Sequence, residues 1–475
     1  MERIKIGYAP TRRDGFSTEA ALRFKELVRE RIQQMDVEFV DLEGINEQGL
    51  LMDEDSAAKA ITRFKKESVD AVFFAHCNFG TEFAEARVAK ELGKPVLLWA
   101  PQDEMPDPVL ARTRDAQCGL FAAGKIFRRM NVPFTYLTSC PAEDPKFEDG
   151  MRMFLAVTRV VKAFRGLKIL QIAPRPQAFW SVMYNEGELL ERFGIEVVTL
   201  TLSELVARFK KLLTSGSPEL DEAAAMIRNY RMLPSASETT VRRLAALKCA
   251  IRQFCAQYGC SAVALQCWNA FQDEFQLMPC FTNGLLTAEG IPVACETDIH
   301  GAISAILMQS AVDSTAFFAD MTIRHPENPN AELLWHCGNF PATLAKDADR
   351  AAVSDDVLMP SHCPGIGQFE LKHGDVTICR FDGDHGEYSL FLGEGRAIPG
   401  PATHGTYVWV EVENLNRWEY RLVTGPYIHH CSVGYGHVSH VLYEACKYIP
   451  GLLPDPQNPT REEILTRLID GSSHA

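Results

Sequence analysis

The sequence lacks the features of a membrane or exported protein. Its 475 residues contain no apolar run of the about 18 residues that a membrane-spanning helix needs. The segment from Met1 to Gly7 is a short charged lead into a strand, without the long apolar region of a signal peptide. From these absences we expect a cytoplasmic protein with no membrane partner.

The sequence also lacks CxxC pairs, although it contains 14 cysteines. In a chain this long, cysteines without such pairs or a small-domain framework are typical of reduced, mostly buried thiols. The spacing of Cys249, Cys255, Cys260 and Cys267 fits no zinc pattern, and the first two fall in an amphipathic helical segment. We therefore interpret these four as packing residues.

An excess of basic residues is absent as well. The 48 Lys and Arg residues against 62 Asp and Glu residues give a net charge of -14. This balance argues against an electrostatic grip on nucleic acid or on an anionic membrane. The composition, 46% hydrophobic and 23% charged, is that of a globular protein. These features favour chemistry on a small molecule.

Strand and helix signals alternate from the start of the chain. A strand from Ile4 to Pro10 precedes a helix capped by Ser17, and this order continues to a strand ending at Trp99. Such a βαβα order predicts a parallel sheet covered by helices on both faces. The segment from Arg165 to Pro174 repeats the strand-then-Ala-Pro pattern of the first strand, which indicates a second α/β domain.

After about residue 345 the sequence changes to short β-rich pieces with Gly and Pro, typical of antiparallel structure. We therefore predict an α/β protein with two doubly wound, Rossmann-like parallel-sheet domains and a mainly antiparallel β-rich C-terminal domain. The predicted domains are 1–165, 166–292, which carries Glu274, and 293–475, which carries Asp298 and His430.

Three short segments of the second half carry candidate site residues. Gln272 to Phe275 and Ala294 to Asp298 follow predicted strands, at the edge where doubly wound sheets present catalytic groups. His429 to Cys431 comes from the β-rich region and would close a pocket between domains. Two carboxylates and an imidazole suit a hard divalent metal such as Mn²⁺. The segments therefore indicate metal-assisted proton transfer.

In these segments the sequence resembles the L-fucose isomerase family, and more weakly the L-arabinose isomerases. The resemblance rests on Glu274, on Glu296 to Asp298 with the following helix, on Phe318 to Asp320, and on His430 with Gly436-His437 beyond it. It implies an Mn²⁺-dependent aldose–ketose isomerase that works through an enediol. It also implies Glu274, Asp298 and His430 as metal ligands, with Glu274 and Asp298 doubling as the acid–base pair.

Other interpretations of these three residues stay open. Glu274 is also interpretable as a surface carboxylate, with Asp273 as the functional residue. Asp298 is equally suited to cap the following helix, because Asp is a favoured N-cap. His429 competes with His430 as the ligand.

The resemblance extends to substrate-binding residues and to assembly. It implies that the N-terminal domain completes a neighbour's pocket in a homo-oligomer, a hexamer or trimer, with Arg12 or Arg13 reaching the sugar. A solvated loop pair is the alternative for these arginines, and a core position is the alternative for Trp268. His336 falls where arabinose isomerases carry a further ligand, but their glutamate would fall at Ala319, so we predict no four-ligand set. The predicted substrate-binding residues are Arg12, Arg13, Gln266, Trp268, Trp99 and His336, and exposed polar groups are also expected at His76, Asn78 and Gln102.

The substrate itself is open from the sequence. Short family members that act on sulfonated sugars such as sulfoquinovose would need a cationic clamp. Arg12, Arg13, Arg175 and Arg417 are candidates, whereas Arg380 and Arg417 are otherwise interpreted as surface residues. Two alternative functions remain, a non-catalytic sugar-binding or regulatory protein of the same fold and a metal-dependent sugar aldolase.

Overall fold

The structure is a computed structural model that describes residues 3–35, 37–105, 108–109, 112–233, 237–358 and 362–470. The chain divides into two compact units. Unit 1 comprises the chain up to Lys162 together with the C-terminal helix from Glu462 onward, and unit 2 comprises Ala163–Arg461.

Unit 1 is built on a five-stranded parallel sheet in the order β2-β1-β3-β4-β5. The strand β3 is buried at every position, as expected for a parallel strand covered on both faces. The predicted cap is confirmed, since the Ser17 side chain accepts from the Ala20 amide at the start of α1. The elements are β1 (Lys5–Thr11), α1 (Thr18–Gln33), β2 (Glu38–Val40), α2 (Glu54–Lys66), β3 (Ala71–His76), α3 (Glu82–Leu92), β4 (Val96–Trp99), α4 (Ala116–Arg129), β5 (Thr135–Tyr136) and α5 (Pro145–Phe164).

Unit 2 begins with a smaller parallel sheet in the order β10-β9-β6-β7. Cys249 and Cys255 are buried in the core face of α9, as the packing interpretation predicted. The elements are β6 (Lys168–Ile172), α6 (Glu186–Glu188), β7 (Glu196–Leu200), α7 (Leu202–Ser215), α8 (Pro218–Arg228), β8 (Arg231–Met232), α9 (Glu238–Tyr258), β9 (Ala262–Leu265), α10 (Ala270–Phe275), α11 (Cys280–Ala288), β10 (Val293–Ala294) and α12 (Ile299–Val312).

A ten-stranded mixed sheet follows, in the order β19-β16-β15-β18-β11-β12-β17-β14-β13-β8. Most neighbouring strands are antiparallel, with parallel pairs at β8–β13, β14–β17 and β16–β19. The elements are β11 (Phe317–Arg324), β12 (Ala331–His336), β13 (Ala352–Asp355), β14 (Pro364–Glu370), β15 (Gly374–Asp384), β16 (Glu387–Ile398), β17 (Thr406–Val412), α13 (Leu415–Thr424), β18 (His430–Tyr435), α14 (Ser439–Cys446), β19 (Leu452–Asn458) and, in unit 1, α15 (Arg461–Asp470).

The predicted fold class is confirmed: parallel sheets are followed by a mainly antiparallel β-rich region. The β-rich region starts earlier than expected, at Phe317 rather than near residue 345. Polar residues such as Asp320 and His336 interrupt the apolar pattern of β11 and β12, which hides these strands in the sequence. The proposed domain boundary at residue 292 stays a prediction.

Two pairings bring the chain's polar segments together. The strands β9 and β10 are parallel neighbours, so both leave the same sheet edge. In the large sheet, β11 lies between β18 and β12. The helix α12 connects the two regions, running from the end of β10 toward β11. Among the described residues, none of the helices combines the length and apolar character needed to span a membrane.

Candidate metal centre

Four buried polar side chains converge in unit 2, and we call Glu296, Asp320, His336 and His430 the four-residue cluster. The Oε2 atom of Glu296 lies 3.8 Å from Nε2 of His336 and 3.8 Å from Nε2 of His430. The Nε2 atom of His430 is in turn 3.5 Å from Oδ1 of Asp320. Three of the side chains are almost fully inaccessible, and that of Asp320 is 17% exposed.

The atoms that face one another in the cluster lack hydrogen-bond partners. Within the described part of the chain, Oε2 of Glu296, Oδ1 of Asp320 and Nε2 of His336 are buried and unpaired. Each such atom costs about 1–3 kcal/mol if nothing else satisfies it. A divalent cation bound here would give such carboxylate oxygens and imidazole nitrogens a partner. The cluster therefore fits a metal ion by both its donor set and its unpaired atoms.

The register of the large sheet produces this convergence. Asp320 on β11 lies directly opposite His430 on β18, and opposite Trp335 on β12. His336 is the next residue after Trp335 and ends β12. Directly opposed residues of antiparallel strands project their side chains onto the same face of the sheet. The pairing thus places the Asp320 carboxylate beside the His430 imidazole, whereas His336 reaches the cluster from the end of β12.

Glu296 reaches the cluster through an unusual backbone conformation. Glu296 and Thr297 have φ values of 55° and 58°, in the left-handed region that non-glycine residues rarely adopt. Each such residue costs of order 1–3 kcal/mol, and these conformations concentrate at functional sites. The Cys267 thiol and the Trp268 indole donate to Oε1 of Glu296 at 3.3 and 3.2 Å. Oε1 is therefore held by the chain, while Oε2 is free to face the imidazoles.

Asp298 lies beside the cluster, but its two oxygens are occupied by the chain. Oδ1 accepts from the Gly301 amide at 2.9 Å, which caps α12, and from the Arg380 guanidinium at 3.2 Å. Oδ2 accepts from Nδ1 of His430 at 2.8 Å and from Arg380. A Cβ atom at Gly301 would lie 2.6 Å from Oδ2, so only glycine leaves room for this carboxylate. Asp298 therefore orients His430, presenting Nε2 to the cluster.

Burial raises the pKa of the two unpaired carboxyl groups, that of Asp320 to about 7 and that of Glu296 in the same direction. Burial lowers the pKa of His336 to about 3, so its imidazole is neutral, as a metal ligand must be. Its Nδ1 accepts from the Cys337 amide at 2.9 Å, so Nε2 would bind an ion only in the other tautomer. Burial also acts to lower the pKa of His430, but the hydrogen bond to Asp298 and the charges of Asp320, Asp298 and Glu296 together outweigh it, and the net shift is upward.

The pKa of Asp298 is shifted in the opposite direction to those of Glu296 and Asp320. Burial acts to raise the pKa of this carboxyl, yet the Arg380 guanidinium and His430 outweigh it and the net shift is downward. The Asp298 carboxylate is thus ionised and already paired. The carboxylates of Glu296 and Asp320 have no such arginine, and a bound cation would supply the missing charge.

The structure does not bring Glu274 into the cluster. Its side chain is 50% exposed and lies 3.8 Å from the Lys210 ammonium on α7. The short helix α10 buries Phe271 and Phe275, the latter against Phe209, so Glu274 points away from the core. Its neighbour Asp273 is also exposed. The metal-ligand role predicted for Glu274 has no support in this geometry.

The segments that carry the resemblance contain a second pair of acidic residues with the same spacing. Glu296 and Asp320 are 24 residues apart, the same separation as Glu274 and Asp298. Both residues belong to segments that carry the resemblance, Glu296 to Asp298 and Phe318 to Asp320. The signal was therefore present, 22 residues further along the chain in each case.

The structure places both His336 and His430 in the four-residue cluster. His336 lies in the four-residue cluster, and Asp320 supplies the carboxylate that the sequence analysis sought at the adjacent Ala319. Successive side chains of a strand point to opposite faces, so a one-residue difference decides which of the two meets the cluster. His430 is buried in the cluster, whereas the exposed His429 keeps a ring nitrogen within 4.8 Å of Asp320 and His430 atoms.

Two predicted substrate residues border the cluster region. Trp268 is half-buried and bonded to Glu296, and its ring meets Phe179 edge-on at 5.4 Å. Gln266 directly follows β9 and is half-buried. Their contact with a substrate stays a prediction.

In unit 1 the expectation of exposed polar and aromatic groups at the strand ends is wrong for four residues. Trp99 is fully buried and packs on Phe147 at 4.4 Å between ring centroids, so it is a core residue. His76 is fully buried, and its Nε2 pairs with Glu85 at 2.9 Å. The buried Asn78 side-chain carbonyl accepts from the backbone amides of Arg13 and Gly80. Arg12 is buried as well, whereas Arg13 is half-buried and Gln102 is exposed.

The surface interpretation of Arg380 is also wrong. Arg380 is fully buried and bridges Asp298 and Asp382, which compensate its charge. Arg175 is half-buried and donates to the carbonyl oxygens of the following loop, whereas Arg417 is exposed. Arg380 therefore pairs with Asp298, which in turn orients His430.

Known proteins share sequence with most of this chain. Residues 7–165 match the family described as "Fucose/sulfoquinovose isomerase, N-terminal domain". The sulfoquinovose isomerase of Alkalicoccus urumqiensis is 28% identical over 402 residues, covering 84% of this chain and 86% of that protein. The sulfoquinovose isomerase of Priestia aryabhattai is 27% identical over 387 residues, covering 80% of this chain and 84% of that protein.

Among solved structures, a periplasmic solute-binding protein from Actinobacillus succinogenes 130z with bound D-allose is similar at 11% identity. The match covers 65% of this chain and 92% of that chain, with a TM-score of 0.16. The sequence relatives agree with the resemblance found in the residues themselves. The chain matches the fucose/sulfoquinovose isomerase family over residues 7–165 and is similar to sulfoquinovose isomerases over most of its length.

Proposed function

We propose that this protein is a metal-dependent aldose–ketose isomerase whose substrate is sulfoquinovose. The observation that carries the proposal is the four-residue cluster, in which three buried polar atoms have no hydrogen-bond partner among the described residues. The relatives that match over most of the chain are sulfoquinovose isomerases, which supports both the reaction class and the sulfonated sugar.

Glu296, Asp320, His336 and His430 would hold the metal ion, with Mn²⁺ as the proposed ion. A bound divalent cation acts as a Lewis acid that stabilises the negative charge developing on the sugar oxygens. His336 and His430 have no other described role for Nε2 than to meet this ion. Asp298 holds His430 in the tautomer that leaves Nε2 as the acceptor.

The proton transfer needs a carboxylate that is not already paired. We assign Glu296 and Asp320 to this acid–base role, one taking the proton from the sugar C2 and returning it to C1, the other relaying a hydroxyl proton. Asp298 does not suit the role, because both of its oxygens accept hydrogen bonds from the chain. The enediol route therefore uses the carboxylates of the cluster.

Assembly and sulfonate recognition stay predictions. The resemblance implies a homo-oligomer in which Arg12 or Arg13 serves a neighbouring pocket. In unit 1 the Arg13 guanidinium lies 4.3 Å from the centre of the Phe79 ring and pairs with Glu82. Arginine with a carboxylate partner keeps its full charge, which a sulfonate requires.

An assay with sulfoquinovose tests the proposed function. In D₂O with added Mn²⁺, we expect a ketose product that keeps every carbon and carries deuterium at C1, detected by NMR. Chelator treatment should abolish turnover, and Mn²⁺ should restore it. Cleavage into two shorter products would support the aldolase alternative. Binding of the sugar without any turnover would support the sugar-binding alternative.

Trp268→Phe probes the hold on Glu296. The variant keeps the ring but removes the indole N–H that donates to Oε1 at 3.2 Å. Since groups that orient a metal ligand typically contribute 10–100-fold in affinity, we expect Mn²⁺ binding to weaken by about that factor. Calorimetric titration of metal-free protein measures it.

Trp409→Phe is the matched control for this variant. The buried Trp409 indole donates to the Pro401 carbonyl oxygen at 2.8 Å, on β17. We expect unchanged Mn²⁺ affinity in this variant. Equal weakening in both variants would show that the loss is not specific to Glu296.

A further inference from the structure

A second group of ligand atoms lies on the other side of the Glu296 carboxylate. The Sγ atoms of Cys267 and Cys295 and a carboxylate oxygen of Glu296 all lie within 4.8 Å of one another, and all three residues are buried. Cys267 lies two residues beyond β9 and Cys295 directly follows β10. Because these strands are parallel neighbours, their ends present both thiols at one edge. The proposed isomerisation uses neither sulfur atom.

The donor chemistry of this group differs from that of the four-residue cluster. Thiolate sulfur selects soft or borderline ions such as Zn²⁺ and Cd²⁺, whereas carboxylate oxygen and imidazole accommodate Mn²⁺. The thiol side meets Oε1 of Glu296, and the imidazole side meets Oε2. One oxygen of the Glu296 carboxylate thus faces soft sulfur donors, and the other faces the imidazole nitrogens.

We propose that Cys267, Cys295 and Glu296 form a second metal site, selective for Zn²⁺ or Cd²⁺, that shares Glu296 with the four-residue cluster. An ion there binds two sulfur atoms and Oε1. Each thiol that becomes a ligand releases its proton to the solvent. Because Glu296 serves both sites, an ion on its Oε1 makes the carboxylate a weaker base for proton transfer, and filling the soft site inhibits turnover.

The surroundings of Cys295 direct hydrogen-bond donors to its sulfur. The side-chain amides of Asn283 and Asn339 donate to its Sγ atom at 3.7 and 3.4 Å. Both asparagines are buried, and their Oδ1 atoms have no hydrogen-bond partner among the described residues. The two amides hold the sulfur atom in place and would stay in contact with it if it became a ligand. The Trp268 indole provides the matching donor to Oε1 of Glu296.

Cadmium titration of the reduced, metal-free full-length protein tests this site. Binding should produce the ultraviolet sulfur-to-cadmium charge-transfer band and release one proton per thiol in a weakly buffered solution. Cys267→Ser and Cys295→Ser should each weaken cadmium binding by about 10-fold or more and reduce the band. Wild-type protein without the band, or a Cys267→Ser/Cys295→Ser double variant that keeps it, overturns the proposal.

Two further variants make the test specific. Cys446→Ser is the control, because the buried Cys446 thiol on α14 donates to the Leu442 carbonyl oxygen at 3.3 Å, outside the group. It should keep the full band. Asp320→Asn removes a hard ligand only, so it should keep the cadmium band while losing Mn²⁺-dependent turnover. A wild-type band with no effect of Mn²⁺ on turnover would contradict the isomerase proposal alone, and Mn²⁺-dependent turnover without a band would contradict the soft site alone.

Discussion

Glu296→Gln is expected to lower kcat by about 10² or more at saturating Mn²⁺, which is the loss typical for removal of a general base. Glutamine keeps an oxygen that can contact the ion, but an amide cannot accept a proton at neutral pH. The metal should therefore remain bound, with reduced affinity. Steady-state kinetics with sulfoquinovose, together with metal analysis of the purified variant, separate the two effects.

Glu274→Gln is the matched control, because it makes the same chemical change at the other candidate carboxylate. Glu274 is half exposed and lies beside Lys210, so we expect kcat and metal content to stay near those of the wild type. The reverse pattern, a large loss in Glu274→Gln and none in Glu296→Gln, would return the ligand role to Glu274.

The second large effect is expected at Arg380. Arg380→Met leaves the carboxylates of Asp298 and Asp382 buried without their cation. Breaking a buried ion pair from one side typically costs about 3–5 kcal/mol in the free energy of unfolding. Urea unfolding followed by tryptophan fluorescence measures the loss.

Arg324→Met provides the comparison for Arg380→Met. Arg324 pairs with Glu419, and both side chains are more than a third exposed, at 40% and 59%. Surface pairs of this kind contribute about 0–1 kcal/mol. If the two variants lose the same stability, the bridge between Asp298 and Asp382 does not have the structural role assigned to it.

The sequence predicted the elements of unit 1 well, for a physical reason. The strands β3 and β4 are short apolar runs, and the helices α1 and α2 begin at side-chain caps, Ser17 and Asp53. These signals are local, so a sequence contains them in full. The elements up to Trp99 therefore follow from periodicity and turn residues.

The site was predictable only in part, because its geometry depends on long-range pairing. His430 meets Asp320 only through the register of β11 and β18, which are more than a hundred residues apart in the chain. The pairing of Asp298 with Arg380 is of the same kind. From the sequence alone, Asp298 and Asp320 were both carboxylates of segments that carry the resemblance, and only the structure shows that Arg380 pairs with the first.

The helix-cap interpretation of Asp298 could be made locally and is confirmed by its bond to the Gly301 amide. The partners of the second Asp298 oxygen, however, come from residues distant in the sequence. A cap uses one oxygen, and the sequence left the other free for a metal. In the folded chain His430 and Arg380 occupy that second oxygen, which is why we propose Asp320 as the ligand instead.

The position of the ion tests the central claim most directly. Crystals of the Mn²⁺-loaded protein, measured at the manganese absorption edge, give an anomalous difference peak at each bound ion. The account predicts one peak bounded by Oε2 of Glu296, Oδ1 of Asp320 and Nε2 of His336 and His430. A peak beside Glu274, or an ion held by Asp298 with Arg380 displaced, would contradict it.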